Sequence, residues 1–133
     1  MTMLRALFLA AFLPADLASA QEAPSAFAPC AQCHSVTAPD GTRLVAGGRT
    51  GPNLYGVMGR PVAGAAGFNY SRSMQEARAR GLTWDRASFA AYLKNPTEFL
   101  QGWLGDPSAR ARMAYRSETG AGAIYDYLRA LER

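Results

Sequence analysis

Apolar positions in the second half of the chain recur at helical spacing and predict short helices. One such set is Leu82, Phe89, Tyr92 and Leu93. It predicts a helix over 84–94 with Thr83 as its N-terminal cap, because hydrophobic residues three or four apart share one face of a helix. Asn95 followed by Pro96 ends this helix, and Pro96 can open another turn.

Two further helices are predicted on either side of that element. The terminal one carries Ile124, Tyr127, Leu128 and Leu131 on one face. It follows Ser117. A shorter helix capped by Ser71 or Ser73 passes through 74–77 and is ended by Gly81.

The stretch from Ser35 to Gly67 has a different character. It contains eight glycines and three prolines, which predict compact loops rather than regular helix. No alternating run of strand length and no internal repeat is present in the sequence. The pattern therefore predicts an all-α fold of short helices joined by long glycine-rich loops.

The first 20 residues have the pattern of a cleaved secretory signal peptide. Residues 1–5 carry a positive charge, 6–13 are apolar, and 18–20 form the small-x-small pattern that a signal peptidase recognises. A retained membrane anchor is the alternative, but the apolar run is well short of the ~20 residues that a spanning helix needs. We expect export to the periplasm, a mature chain from Gln21, and no integral membrane segment in it.

Length and charge narrow the classes of function. Residues 21–133 suffice for one small domain. The formal net charge is +4, and the basic residues form no stripe interleaved with aromatics. This mild and diffuse charge argues against a nucleic-acid-binding protein.

The chemistry of the chain is concentrated in the segment from Cys30 to His34. It reads Cys-x-x-Cys-His and contains both cysteines and the single histidine of the sequence. This arrangement is typical of c-type haem attachment, in which the two thiols bind the vinyl groups and the histidine ligates iron.

Three other uses of the motif fit the sequence less well. Zinc would need a fourth ligand, from a carboxylate or from a second subunit. A thioredoxin-like redox pair would need a βαβ setting, which the surrounding sequence lacks, and a structural disulfide would leave His34 idle. Haem attachment is the favoured interpretation.

A second axial ligand must come from another residue type, because no other histidine exists. The candidates in the mature chain are Met58, Met74 and Met113, although methionine more often fills a core than binds metal. Met58 lies near the His34 side and Met74 resembles a helix-packing residue. Met113 lies in an irregular link that could reach the opposite haem face, and it is the predicted ligand.

A set of matching positions runs through nearly all of the expected mature chain. It comprises Phe27, Cys30, Cys33, His34, Gly51, Pro52, Asn53, Leu54, Gly59, Arg60, Gly67, Phe68, Asn69, Tyr70, Gly81, Leu82, Thr83, Trp84, Tyr92, Pro96, Gly105, Asp106, Met113 and 124–128. In this order the chain resembles a class I cytochrome c, most closely the long-loop bacterial cytochrome c2 family. The resemblance implies the cytochrome c fold around one covalent haem c.

The resemblance also implies roles for individual residues. The Pro52 carbonyl would accept a hydrogen bond from Nδ1 of His34. Arg60, Tyr70 and Trp84 would bind the buried propionate, an anion that an apolar core does not tolerate without donors.

Further aromatic positions are implied by the same resemblance. Tyr92 would lie beside the methionine ligand, and Tyr115 at the haem edge. Phe27 would pack on the terminal helix near Ile124 and Tyr127.

The chain departs from the family pattern at both ends. Ala23 stands where the family usually has glycine, and Pro24 and Pro29 require a short or irregular first helix. Gly120 and Gly122 weaken the terminal helix. We therefore predict lower stability than in relatives with a longer first helix, and a denaturation midpoint at or above theirs would contradict this. In addition, Ala111 replaces a residue that can donate to a propionate elsewhere in the class.

A His/Met haem with no open site suits one-electron transfer and not catalysis. The resemblance implies a soluble, monomeric periplasmic carrier between a cytochrome bc complex and a photosynthetic reaction centre or a respiratory terminal oxidase. Partners with acidic docking surfaces would meet an arginine cluster. The cluster comprises Arg43, Arg49, Arg110, Arg112 and Arg116. The alternatives are the haem subunit of a periplasmic oxidoreductase complex and a sensor whose methionine can be displaced.

Overall fold

The computed structural model describes residues 22–132, so the predicted signal segment 1–20 lies outside the described residues. In this part of the chain two single 3₁₀ turns are followed by a two-stranded antiparallel sheet and four α-helices. The 3₁₀ turns are Ser25–Phe27 and Cys30–Gln32, the strands are β1 (Val36–Thr37) and β2 (Arg43–Val45), and the helices are α1 (Arg72–Ala79), α2 (Arg86–Lys94), α3 (Pro96–Leu104) and α4 (Ala121–Ala130). The predicted helical fold is confirmed, with the small sheet as an addition.

Local capping fixes where the middle helices begin. The Ser71 hydroxyl accepts from the Met74 N–H at the start of α1, which decides between the two predicted serines. The Asn95 side chain caps α3, and Pro96 is its first residue. The predicted turn after Pro96 is thus a nine-residue helix.

The prediction that Thr83 caps a helix beginning at Trp84 is wrong. The cap is Asp85, whose carboxylate accepts from the Ser88 N–H at 2.7 Å in a reciprocal capping box. Trp84 lies before the helix in an extended pairing between two loops, where its N–H donates to the Arg60 carbonyl at 2.9 Å and its carbonyl accepts from the Gly59 N–H at 2.6 Å.

The small sheet was not predicted, because its strands have only two and three residues and leave no room for an alternating pattern. Val36 pairs with Val45 and is fully buried. The Asn53 side chain bonds both the N–H and the carbonyl of Thr37, at 2.9 and 2.8 Å. These hydrogen bonds attach the loop after the sheet to strand β1.

The last helix begins directly after a glycine. Ser117 lies before it, but the residue that precedes α4 is Gly120, with φ of +84° and without a side-chain cap. A Cβ on Gly120 would lie 2.7 Å from the Cβ of Ala26. The glycine therefore lets α4 approach the first 3₁₀ turn closely.

Two hydrophobic clusters form the core, one around Phe27, Ile124 and Leu128 and the other around Leu82 and Leu100. The rings of Phe27 and Tyr127 are 5.1 Å apart, and Phe27 is 1% exposed. The predicted contact of Phe27 with the terminal helix is thus confirmed. The chain has an irregular first segment in place of a regular first helix. This segment nevertheless packs against α4. Among the described helices, none has the length and apolar character needed to cross a membrane.

Candidate haem-binding site

A large cavity of about 1090 Å³ is lined by residues of both core clusters. Its walls come from the Cys30 to His34 segment, the glycine-rich loops, α1, α2, α4 and the segment around Met113. Cys30, Cys33 and His34 all line it, and both thiols are free. The volume is that of a site for a large organic ligand.

The His34 imidazole is held in one orientation. Its Nδ1–H donates to the Pro52 carbonyl at 2.7 Å, the contact that the family resemblance implies. This bond leaves Nε2 with its lone pair. Burial lowers the pKa of His34, while the bond to Pro52 opposes that shift. The result is a neutral imidazole, the form that binds metal.

Three glycines that sequence reasoning did not assign to the site press against this motif. A Cβ on Gly51 would lie 2.4 Å from Cε1 of His34, and one on Gly47 would lie 1.8 Å from the His34 carbonyl oxygen. Gly48 has no room for a side chain either, because a Cβ there would lie 2.2 Å from the carbonyl oxygen of Gln32. The signal was the density of glycine in this loop, which indicates turns and does not by itself indicate contact with a histidine.

Four further predicted residues line the same cavity: Arg60, Tyr70, Trp84 and Tyr92. The Tyr70 hydroxyl accepts from the Ala65 N–H at 3.1 Å, and burial raises the pKa of Tyr70. Burial also raises the pKa of Tyr92 to about 12. The rings of Trp84 and Tyr92 lie 4.8 Å apart. These residues bring guanidinium, hydroxyl and indole donors to the lining of a largely apolar cavity.

All three candidate methionines reach the cavity wall. Met58 and Met74 are 2% and 8% exposed and belong to the two clusters. Met113 is half-buried and packs against both clusters, outside any helix or strand. Tyr115, two residues on, also lines the cavity and is 37% exposed. It thus stands where the cavity meets the surface.

The five arginines predicted to dock partners are all exposed. Arg43 lies on β2 and Arg49 in the loop that follows it. Arg112 also lines the cavity, and its guanidinium donates to the Asn69 carbonyl at 2.8 Å. Arg110 donates to the carbonyls of Pro107 and Ala109. Two of the five side chains are therefore partly engaged by the protein itself.

These residues fit a covalent haem. Two free thiols and a neutral imidazole share one wall of a cavity that is large enough for a macrocycle, and cationic and hydroxyl donors are available for its carboxylates. The fold and the site together define a c-type haem protein.

Known proteins of similar sequence and structure agree with that class. Cytochrome c-551 of Roseobacter denitrificans is 44% identical over 103 residues, which cover 77% of this chain and 73% of that protein. Cytochrome c2 of Rhodobacter capsulatus is 41% identical over 123 residues, or 92% of this chain and 88% of that protein. A solved structure of cytochrome c2 from Rhodobacter capsulatus matches with a TM-score of 0.78 and 37% identity, covering 90% of this chain and 100% of that one. No family model matches the sequence.

The chain belongs to the cytochrome c2 family of class I cytochromes c. Its cofactor is accordingly one covalently attached haem c, and its activity is electron transfer rather than catalysis. This membership sets aside the zinc, thioredoxin-like and disulfide interpretations of the Cys30 to His34 segment.

Proposed function

We propose that this protein is a soluble periplasmic one-electron carrier with His34 and Met113 as axial ligands. The observation that carries the proposal is the shared cavity, which has Cys30, Cys33 and His34 on its walls together with the half-buried Met113. With both axial positions filled by protein, the haem iron would gain and lose one electron without binding substrate.

Each ligand has a neighbour that would tune it. The Pro52 carbonyl accepts from Nδ1 of His34 and makes the imidazole a stronger donor. Buried Tyr92 lines the cavity and keeps its phenolic proton over the whole physiological pH range, because its pKa is near 12. Its hydroxyl would therefore be available as a donor to the sulfur of Met113, which lines the same cavity.

The propionates would be bound by Arg60, Tyr70 and Trp84. These side chains line one cavity, and Arg60 and Trp84 are joined by a 2.9 Å backbone bond. Arg112 lines the same cavity and would add a second guanidinium. Such donors offset the large penalty of burying a carboxylate.

The carrier would be exported by the 1–20 segment and would shuttle between a cytochrome bc complex and a reaction centre or a terminal oxidase. The exposed arginines at 43, 49, 110, 112 and 116 would steer it to acidic surfaces on these partners. Such steering weakens as salt screens the charges, over a distance of ~10 Å at 0.1 M ionic strength.

Ligation is tested on the ferric holoprotein by the far-red absorption that a methionine bond to ferric iron produces. We expect Met113→Leu to abolish this band, whereas the matched variants Met58→Leu and Met74→Leu retain it. Loss of the band in either control variant alone would assign the ligand to that residue instead. A native protein without the band would favour a sensor.

The docking proposal is tested by the rate of electron transfer to an isolated acidic partner. The rate should fall steeply with ionic strength, and Arg116→Gln should flatten that dependence. A rate that does not respond to salt would remove the arginines from docking. Recovery of the protein from the periplasmic fraction with Gln21 at its N-terminus would test export.

A further inference from the structure

The segment that carries Met113 is held at successive residues by side chains from other elements. The N–H of Arg110 donates to the Ser73 hydroxyl at 3.1 Å, and the N–H of Ala111 donates to the Thr97 hydroxyl at 3.1 Å. Both hydroxyl-bearing residues are half-buried. Two consecutive backbone donors just before Met113 therefore depend on two side-chain hydroxyls.

These two hydroxyls belong to different helices that pack on each other. Ser73 is the second residue of α1, and Thr97 is the second residue of α3. The pair thus offers a preformed frame for the segment. Both ends of the segment are held as well. At its start, Nε2 of Gln101 donates to the carbonyls of Pro107 and Ala109. At its end, the N–H of Ser117 donates to the Leu93 carbonyl.

We propose that Ser73 and Thr97 are positioning residues that hold Met113 against the cavity. The proposal rests on the proposed role of Met113 as axial ligand. When the segment swings away from the cavity, both hydroxyl contacts must break. The two hydroxyls therefore set the ratio of the closed state, with Met113 at the cavity, to the open state.

Loss of a hydroxyl destabilises the closed state more than the open state. In the closed state the N–H of Ala111 lies in a half-buried position, where a missing acceptor is expensive. In the open state water supplies the acceptor. Removing the hydroxyl thus raises the population of the open state without changing Met113 itself.

The open state can be measured in the ferric holoprotein with imidazole, which binds iron only after the methionine has left. Thr97→Val keeps the shape of the side chain and removes the acceptor, and Ser73→Ala does the same on α1. We expect Thr97→Val to tighten the apparent imidazole Kd by about tenfold relative to the native protein, and Ser73→Ala to tighten it by about threefold, because the contact of Ser73 with Arg110 is exposed to water. Thr97→Ser should restore the native Kd, because it keeps the hydroxyl.

A matched control separates positioning from general stability. Ser88 is another helix-start hydroxyl, in the capping box of α2, and its contacts are with Thr83 and Asp85. Ser88→Ala should lower the denaturation midpoint and leave the imidazole Kd unchanged. If Thr97→Val does not fold, Ser73→Ala carries the same test from the other helix.

The outcomes distinguish the two proposals. Native imidazole affinity in both Thr97→Val and Ser73→Ala, with Met113→Ala binding far more tightly, would overturn the positioning role and keep the ligand. Native affinity in Met113→Ala would overturn the ligand assignment and the positioning role with it. Tighter binding in Ser88→Ala to the same degree would also overturn the positioning role.

Discussion

The two sides of the haem cavity are built by different means. On the His34 side, backbone groups bond to backbone groups: Gly48 to Ala31 at 2.9 Å, and Gly51 to Cys33 at 2.8 Å. Glycine allows the contact, and no space remains for a side chain at Gly51. On the Met113 side, the residues that lead to Met113 are held mainly by hydroxyl and amide side chains.

This difference would make the two proposed ligands behave differently, with His34 held permanently and Met113 able to leave. Close backbone packing cannot open without wider rearrangement, because interiors at crystal-like density do not deform continuously. A few side-chain hydrogen bonds, each with a net value of about 1 kcal/mol, can open locally. Ligand exchange is therefore expected on the Met113 side alone.

The largest expected effect comes from Gly51→Ala on the His34 side. The new Cβ would lie 2.4 Å from Cε1 of His34, which is closer than nonbonded carbons approach. The ring has little room to retreat, because its Nδ1–H donates to the Pro52 carbonyl at 2.7 Å. We expect a loss of about 4 kcal/mol or more in the free energy of unfolding, measured by denaturant titration, and little holoprotein in cells.

Gly102→Ala is the matched control for that substitution. Gly102 lies within α3, and a Cβ there would meet nothing within 4 Å. Alanine should stabilise the helix by up to about 1 kcal/mol, because glycine is the poorer helix former. Equal destabilisation by both variants would mean that the contact with His34 is not the cause.

Some features of the fold and the site could be predicted from the sequence more easily than others. The Cys30 to His34 motif and the α4 face are local patterns, and sequence was sufficient to identify them. The positions of Pro52 and Phe27 required the family resemblance, because their partners lie far along the chain. A single sequence does not show which distant residues meet.

Other features escaped prediction for physical reasons. The pairing of Trp84 with Arg60 is a long-range contact, and it overrode the local tendency that predicted Thr83 as a cap. The roles of Ser73 and Thr97 depend on α1 and α3 packing side by side. Their sequence signal is only that of ordinary helix-start residues.

The next largest effect is expected from Phe27→Ala. This ring is 1% exposed and packs on Tyr127, where the chain enters the haem-attachment motif. We expect a loss of about 3 to 4 kcal/mol in the free energy of unfolding by denaturant titration. The imidazole Kd of the ferric protein should remain native, because this contact lies outside the Met113 segment. A parallel change in both quantities would mean that the two sides open together.

A smaller effect is expected from Gln101→Ala on the Met113 side. Its Nε2 donates to the carbonyls of Pro107 and Ala109, at 3.0 and 3.2 Å, and holds the start of the segment. We expect the unfolding free energy to fall by about 1 kcal/mol or less, and the imidazole Kd to tighten severalfold. This is the reverse of the pattern for Phe27→Ala. A native Kd with reduced stability would place Gln101 outside the control of the segment.

The smallest expected effect is a dependence on acid pH. The Ser108 hydroxyl and N–H donate to the Asp106 carboxylate and hold its pKa below the usual value of about 4. The stabilisation that these bonds give the folded protein is therefore present above that usual value. It is lost as the pH falls through the lower pKa of the folded state. In wild type the far-red band should weaken at acid pH, and Asp106→Asn should remove part of that dependence. Asp40→Asn is the control on the His34 side, where Thr42 lowers the pKa of an equally exposed carboxyl. It should leave the acid loss of the band unchanged, because only the Met113 segment is expected to open. Equal effects of the two substitutions would contradict the difference between the two sides.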